Sequence, residues 1–154
     1  MTFPIPGSTR SCSFGFVGGG TLSTRVRHAS STGGILAFRG FRYTDTSKLP
    51  VCWTEVYIDA EFAAVGRLLQ GNHGPIFHLI EDLFGQRIVE VHQEIAAGLV
   101  PPNLAGGLKA KSGAMAPIVQ RAYRLTSGKI AQVAVYTHPA SRFRHAMTMR
   151  RVKG

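Results

Sequence analysis

The chain has 154 residues, 44% of them apolar, and carries a formal charge of +10, enough for one domain with a real hydrophobic core. No apolar run approaches the roughly 20 residues that a bilayer-spanning helix needs. Phe14 to Val17 is too short for a secretory signal, and the two cysteines, Cys12 and Cys52, are too few for a disulfide framework, so the cytoplasm is the expected compartment and no membrane role is expected. The charge is unevenly placed. Residues 1–33 carry three basic residues and no acid, residues 34–94 carry five basic and eight acidic, and residues 95–154 carry ten basic and no acid. A one-signed half points to an anionic counterpart, whether a small ligand, nucleic acid or an acidic partner, with a solvated basic face as the plain alternative.

Residues 1–33 are rich in Gly, Ser and Thr, and their apolar residues follow neither a helical nor a strand period, so this segment reads as loop or disordered. From Ile35 the pattern sharpens. Ile35 to Tyr43 reads as a strand ended by the turn Thr44-Asp45-Thr46-Ser47, and Val51 to Ile58 as a second, making a hairpin. Ala60 to Leu69 has helical character that Gly66 weakens. Gly74-Pro75 opens a helix over Ile76 to Phe84, with Ile76, Leu79, Ile80 and Leu83 on one face and Gly85 as its stop. Arg87 to Ala97 alternates as a strand, and Pro101-Pro102-Asn103 leads into a short helix, Leu104 to Ala110. Ala116 to Leu125 and Ile130 to Thr137 form a second hairpin around Ser127-Gly128, and Phe143 to Val152 reads as the last strand.

The two hairpins are alike. Offset by about 80 positions, each is a strand, a lysine-containing polar turn (Lys48, Lys129) and a strand, with helical segments nearby. That predicts a duplicated α+β unit whose strands share one antiparallel sheet.

The stretch from about Ile35 to Arg151 resembles the UTRA domain, the effector-binding domain of the HutC-like branch of GntR transcription regulators. Leu36-Ala37-Phe38-Arg39-Gly40-Phe41-Arg42-Tyr43 looks like its first hairpin strand, and Leu49-Pro50 followed by Val51-Cys52-Trp53-Thr54-Glu55-Val56-Tyr57-Ile58 like the next. Ile80 to Ile88 matches its helix–Gly–strand step, and Glu90 to Ile95 the strand that follows. Gln120-Arg121-Ala122-Tyr123-Arg124 and His138-Pro139-Ala140-Ser141-Arg142-Phe143 close the pattern. The resemblance implies a chorismate-lyase-like α+β fold with a central antiparallel sheet, flanking helices and an internal pseudo-two-fold repeat. Residues 34–154 would form the domain, incomplete at its N-terminal side. The winged helix-turn-helix that opens a GntR regulator has no counterpart in residues 1–33, as truncation, frameshift or domain loss would produce.

The resemblance also implies an effector site. Arg42 is either a guanidinium forking onto a ligand carboxylate or phosphate, or a surface arginine. Glu55 shares a strand face with Trp53 and Tyr57, so its carboxylate needs a partner: a ligand group, Arg42, or another arginine of the sheet. Gln132 and His138 lie on one side of the last hairpin strand, at points where the family places polar pocket residues, although His138 also suits a strand-end role before Pro139. Arg142 follows the strand and reads either as a ligand contact or as the partner of an acid. Arg121 and Tyr123 read as sheet structure. His73, His78 and His92 have no metal-ligand spacing, Gly18-Gly19-Gly20-Thr21 and Gly128-Lys129 lack a phosphate-loop pattern, and no Ser-His-Asp arrangement follows from spacing. No catalytic residue, metal or cofactor is implied.

The function expected is ligand sensing by a GntR/HutC-type regulator domain. Its partners would be a small polar or anionic effector, a second copy of itself in a homodimer, and DNA only through a helix-turn-helix that this sequence does not contain. A small chorismate-lyase-like enzyme and a non-functional remnant are the alternatives.

Overall fold

The computed structural model describes residues 2–4, 11–13, 22–32, 35–44, 47–69 and 75–151, with the first three segments described by backbone pairing alone. Two compact units emerge, Met1–Gly19 with Arg144–Gly154, and Gly20–Phe143. In the first, β1 (Thr2–Pro4) and β2 (Ser11–Ser13) pair antiparallel. The second holds β3 (Leu22–Thr32), β4 (Ile35–Thr44), β5 (Cys52–Asp59), a 3-10 helix (Ala60–Leu68), α1 (Ile76–Phe84), β6 (Ile88–Ala96), α2 (Pro102–Leu108), β7 (Ile118–Leu125), β8 (Ile130–Thr137) and a 3-10 turn (Ala140–Arg142).

All six strands of this larger unit form one antiparallel sheet in the order β3-β4-β5-β8-β7-β6. The two hairpins meet at the centre, where β5 pairs with β8 from Trp53↔Thr137 to Ile58↔Gln132. Reversing the strand order maps β3, β4 and β5 onto β6, β7 and β8, which is the two-fold relation expected of a duplicated unit.

Alternation along the strands sorts the side chains onto two faces. Registers Leu36↔Ile58, Ile58↔Gln132 and Tyr123↔Gln132 put Leu36, Ile58, Gln132 and Tyr123 on one face. The helices between β5 and β6 cover it. A Cβ added at Gly66 would lie 3.2 Å from Leu36 and 3.5 Å from Phe38, so the glycine that weakens helix propensity also lets the 3-10 helix sit close on β4. In α1 the buried residues are Phe77 and Ile80, while Leu83 is 48% exposed, so the buried stripe is rotated from the expected Ile76–Leu79–Ile80–Leu83 face. Aromatic contacts set that rotation: Phe77 stacks on Tyr123 at 5.1 Å, and Phe84 meets Phe62 edge-on at 5.1 Å. Gly85 ends α1 in the left-handed conformation, φ 60°. On the opposite face, Phe41 packs with Val100, Leu108 and Ala116, anchoring α2 over one end of the sheet.

Two expectations are corrected. Leu22–Thr32, within the segment read as irregular, forms an edge strand paired with β4 from Leu22↔Thr44 to Thr32↔Ile35. Its register slips between Val26 and His28, and that bulge breaks the period-two pattern by which a strand is recognised. Phe143 to Val152 is not a strand over its described part, 143–151. The alternation of Phe143, Met147 and Met149 with Arg144, Thr148 and Arg150 imitates one, but a strand requires a ladder of backbone partners, and no ladder joins these residues among those described. Asp45, Thr46, His73, Gly74, Gly18 to Thr21 and Val152 lie outside the described residues.

Candidate ligand-binding site

On the helix-covered face, beyond the end gripped by α1, the sheet turns polar. Arg42 lies opposite Cys52, Thr54 opposite Tyr136, and Arg121 opposite both Ala134 and Gln93. These registers place Arg42, Tyr136 and Arg121 on one face along a diagonal of the sheet. Their side chains converge: the Tyr136 ring has the Arg42 guanidinium 5.7 Å from its centroid and the Arg121 guanidinium 5.4 Å away, both within cation–π range. Arg121 Nε also donates to Gln93 Oε1 at 2.7 Å, which aims the guanidinium along the sheet.

His138 extends the same face just past β8, where its backbone N–H donates to Pro117 O at 3.0 Å and prolongs the β7–β8 ladder. Its side chain is buried and packs between the rings of Tyr136 and Phe143, at 6.2 and 5.0 Å. Burial first, then the charges of Arg121 and Arg42, push its pKa down to about 4. The buried Cys52 thiol feels the same field: burial raises its pKa, and Arg42 and Arg121 work against that shift. Both groups thus lie within reach of the charges of Arg42 and Arg121.

A stability prediction follows for His138. In the unfolded chain it takes a proton near 6.5 and in the fold only near 4, so between these values the unfolded state binds more protons and stability is lost as the pH is lowered. Loss of up to about 3 kcal/mol is expected from pH 7 down to pH 4. Urea unfolding across that range should show this slope in the natural protein and a flatter one in His138→Gln.

The other expected site residues sit elsewhere. Glu55 lies on the opposite face, directly across from Arg39, and pairs with Arg39 Nε at 2.9 Å while accepting from the Tyr57 hydroxyl at 3.3 Å. Its partner is therefore the first arginine of the Arg39-Gly40-Phe41-Arg42 run and not Arg42, because three residues along a strand change the face. Gln132 shares a face with His138, but six strand residues separate them by about 20 Å, and it is buried beside Ile58 and Tyr123. Arg142 pairs with no acid in its described contacts. Its fork donates to Pro50 O, to Leu108 O at 2.6 Å and to Lys109 O at 3.3 Å, tying the β4–β5 connection to the end of α2. Arg121, read from the sequence as sheet structure, and Tyr136, not singled out there, join Arg42 on this face. The available signal was the alternation Val119, Arg121, Tyr123, Leu125, which puts an arginine on an otherwise inward-facing row.

Residues 33–144 match the family profile of the UTRA domain. The chain belongs to the UTRA domain family. As a UTRA domain it is a ligand-sensing regulatory module, and its sheet with flanking helices is the α+β, chorismate-lyase-like fold of that family. Solved structures agree in fold. The possible transcriptional regulator YydK from Bacillus subtilis superposes with a TM-score of 0.70 at 14% identity, over 83% of this chain and 61% of that one. A GntR-family transcriptional regulator from Enterococcus faecalis V583 gives 0.68 at 19% identity, over 79% and 96%. The ligand-binding domain of a putative GntR-family regulator from Bordetella bronchiseptica gives 0.68 at 15% identity, over 93% and 96%. This UTRA domain thus spans less than two thirds of YydK. Comparison with curated proteins returns no match. Among the described residues no helix is long and apolar enough to cross a membrane, and no group of three His, Cys, Asp or Glu gathers to hold a metal.

Proposed function

We propose that this UTRA domain senses a small anionic metabolite at Arg42, Arg121, Tyr136 and His138, and that in a GntR/HutC-type regulator the bound state controls DNA binding. The observation that carries the reading is the pair of guanidiniums that meet at one tyrosine ring, beside a buried histidine whose pKa burial first and then their charge push down. Guanidiniums held in place along a sheet recognise carboxylate or phosphate by paired, charge-assisted hydrogen bonds. The site lies across the junction of the two hairpins, so an anion drawing Arg42 and Arg121 together bears on β4 and β7 at once. That is the differential contact a two-state sensor requires. We further propose that the domain works as a homodimer in the cytoplasm, reads DNA only through a helix-turn-helix, and is a binding module and not an enzyme.

A thermal-shift screen of carboxylated and phosphorylated metabolites on the full chain tests this. An anion that binds the fold should raise the unfolding midpoint in proportion to the logarithm of its concentration, adding about 2.7 kcal/mol at a hundredfold excess over its Kd. Neutral isosteres should not, and chorismate should not be turned over. A screen in which no anion moves the transition would remove the reading.

A further inference from the structure

Strand order puts β6 last in the sheet, paired with β7 on one side and with no strand on the other among the described residues. Such an edge invites another strand unless lysine, proline, a bulge or a covering helix blunts it. β6 carries no lysine or proline, its one irregularity lies at its start, between Ile88 and Glu90, and Glu90, His92, Glu94, Ile95 and Ala96 are exposed. From Glu90↔Arg124 the ladder with β7 runs unbroken to Ala96↔Ile118, and Leu99↔Met115 continues it in the same register. There Ala116 N–H donates to Gly98 O and Val100 N–H to Ala114 O, both at 2.8 Å. Even-numbered residues thus turn their backbone groups to β7, and by alternation Val91, Gln93 and Ile95 turn theirs outward. The edge is apolar as well. Leu99 is 63% and Met115 67% exposed, on the same face as Val91 and Ile95.

We infer that β6 pairs antiparallel with β6 of a second copy, about a two-fold axis at Gln93. This rests on the homodimer reading and names its surface. A two-fold pairing matches outward-turned residues with each other, and Gln93 is the midpoint of the regular run 90–96. Centred there, Gln93 bonds its own counterpart, Val91 bonds Ile95 of the second copy, and His92 stands opposite Glu94 of the second copy, twice over. An axis at His92 sets Glu90 against Glu94, and an axis at Glu94 sets that carboxylate against itself; like charges directly opposite destabilise a pair. An axis at Val91 or Ile95 leaves only 90–92 or 94–96 regularly paired. Charge and geometry therefore select the same register. The residue on the axis is the one whose Oε1 accepts from Arg121 Nε at 2.7 Å, so the interface adjoins the ligand site.

Sedimentation equilibrium of the full chain tests this, with unfolding followed alongside for each variant. The natural chain should sediment at twice its 16.6 kDa. Ile95→Pro removes an N–H that the ladder with β7 does not use, so the fold should persist while the dimer Kd rises by about tenfold or more. His92→Glu opposes carboxylates at both ends of the pairing and should weaken the dimer by about tenfold. Adding Glu94→Lys makes both pairs opposite in charge again and should return the Kd to near its original value. This charge swap decides by itself if the proline disturbs the fold. A dimer indifferent to Ile95→Pro and His92→Glu places the interface elsewhere and overturns the assignment to β6, while the homodimer stands. Weakening by His92→Glu without rescue by Glu94→Lys overturns the axis at Gln93. A monomer at every concentration overturns both the β6 pairing and the homodimer.

Discussion

Replacing Arg121 with methionine is expected to weaken anion binding by about a hundredfold, the largest effect of any single substitution on the site. Charge-assisted hydrogen bonds contribute roughly 1.5–3 kcal/mol each, and Arg121 supplies one of the two guanidiniums that meet at Tyr136. Methionine keeps the unbranched stem on the strand, so the loss reads the guanidinium more than the packing. Arg121→Lys should fall between the two, because lysine retains the charge and loses the planar fork. Stability should change little by comparison: Gln93 Oε1 loses its donor, at a cost of about 1 kcal/mol. A second readout does not depend on any ligand. After burial, the charge of Arg121 does most to hold the His138 pKa down, so removing it should raise the His138 titration, followed by NMR, part of the way back. Unchanged affinity together with an unmoved His138 would show that Arg121 belongs to the sheet and not to the site.

The legible parts of this fold were those where local pattern and tertiary demand agree. Ile130–Thr137 and Ile76–Phe84 have the expected bounds because each is a short, strongly patterned run closed by glycine or proline. The duplicated hairpins were visible because the repeat is written in the strand–turn–strand order itself. What failed depended on contacts between distant residues. The edge strand Leu22–Thr32 gets its stability from the ladder it adds to β4, and its Ser- and Thr-rich sequence gives no period to find. The stripe of α1 turned because Phe77 found Tyr123, a residue 46 positions later. The site divides along the same line. Arg42 and His138 were reached through family likeness, whereas Arg121 joins them only once β7 is laid beside β8. Glu55 was seen to need a partner, whether a ligand group, Arg42 or another arginine, and the choice between Arg39 and Arg42 is a matter of which face of β4 each occupies, which cross-strand register decides.

Gly107→Ala is expected to cost about 3 kcal/mol, although alanine is the better helix former. Glycine in a helix interior ordinarily gives up about 1 kcal/mol to alanine, and Gly106, whose added Cβ would meet nothing within 4 Å, should follow that rule and gain stability on the same change. At Gly107 the added Cβ would lie 2.1, 2.7 and 2.9 Å from three ring atoms of Phe41. That ring is 5% exposed and held edge-on against Trp53 at 4.8 Å, so it has little room to yield. Relief must come from α2 lifting off the sheet, a case of overpacking at the upper end of the typical 1–3 kcal/mol, with the helix gain forfeited. The lift also disturbs the Leu108 and Lys109 carbonyls that Arg142 holds. The two neighbouring glycines should thus respond with opposite signs in denaturant unfolding. A double-mutant cycle identifies the cause: Phe41→Leu shortens the ring's reach and is itself destabilising, yet combined with Gly107→Ala it should cost at least 1 kcal/mol less than the sum of the two changes. Strict additivity would mean that α2 does not press on Phe41, and the close approach on that face of the sheet would have to be redrawn.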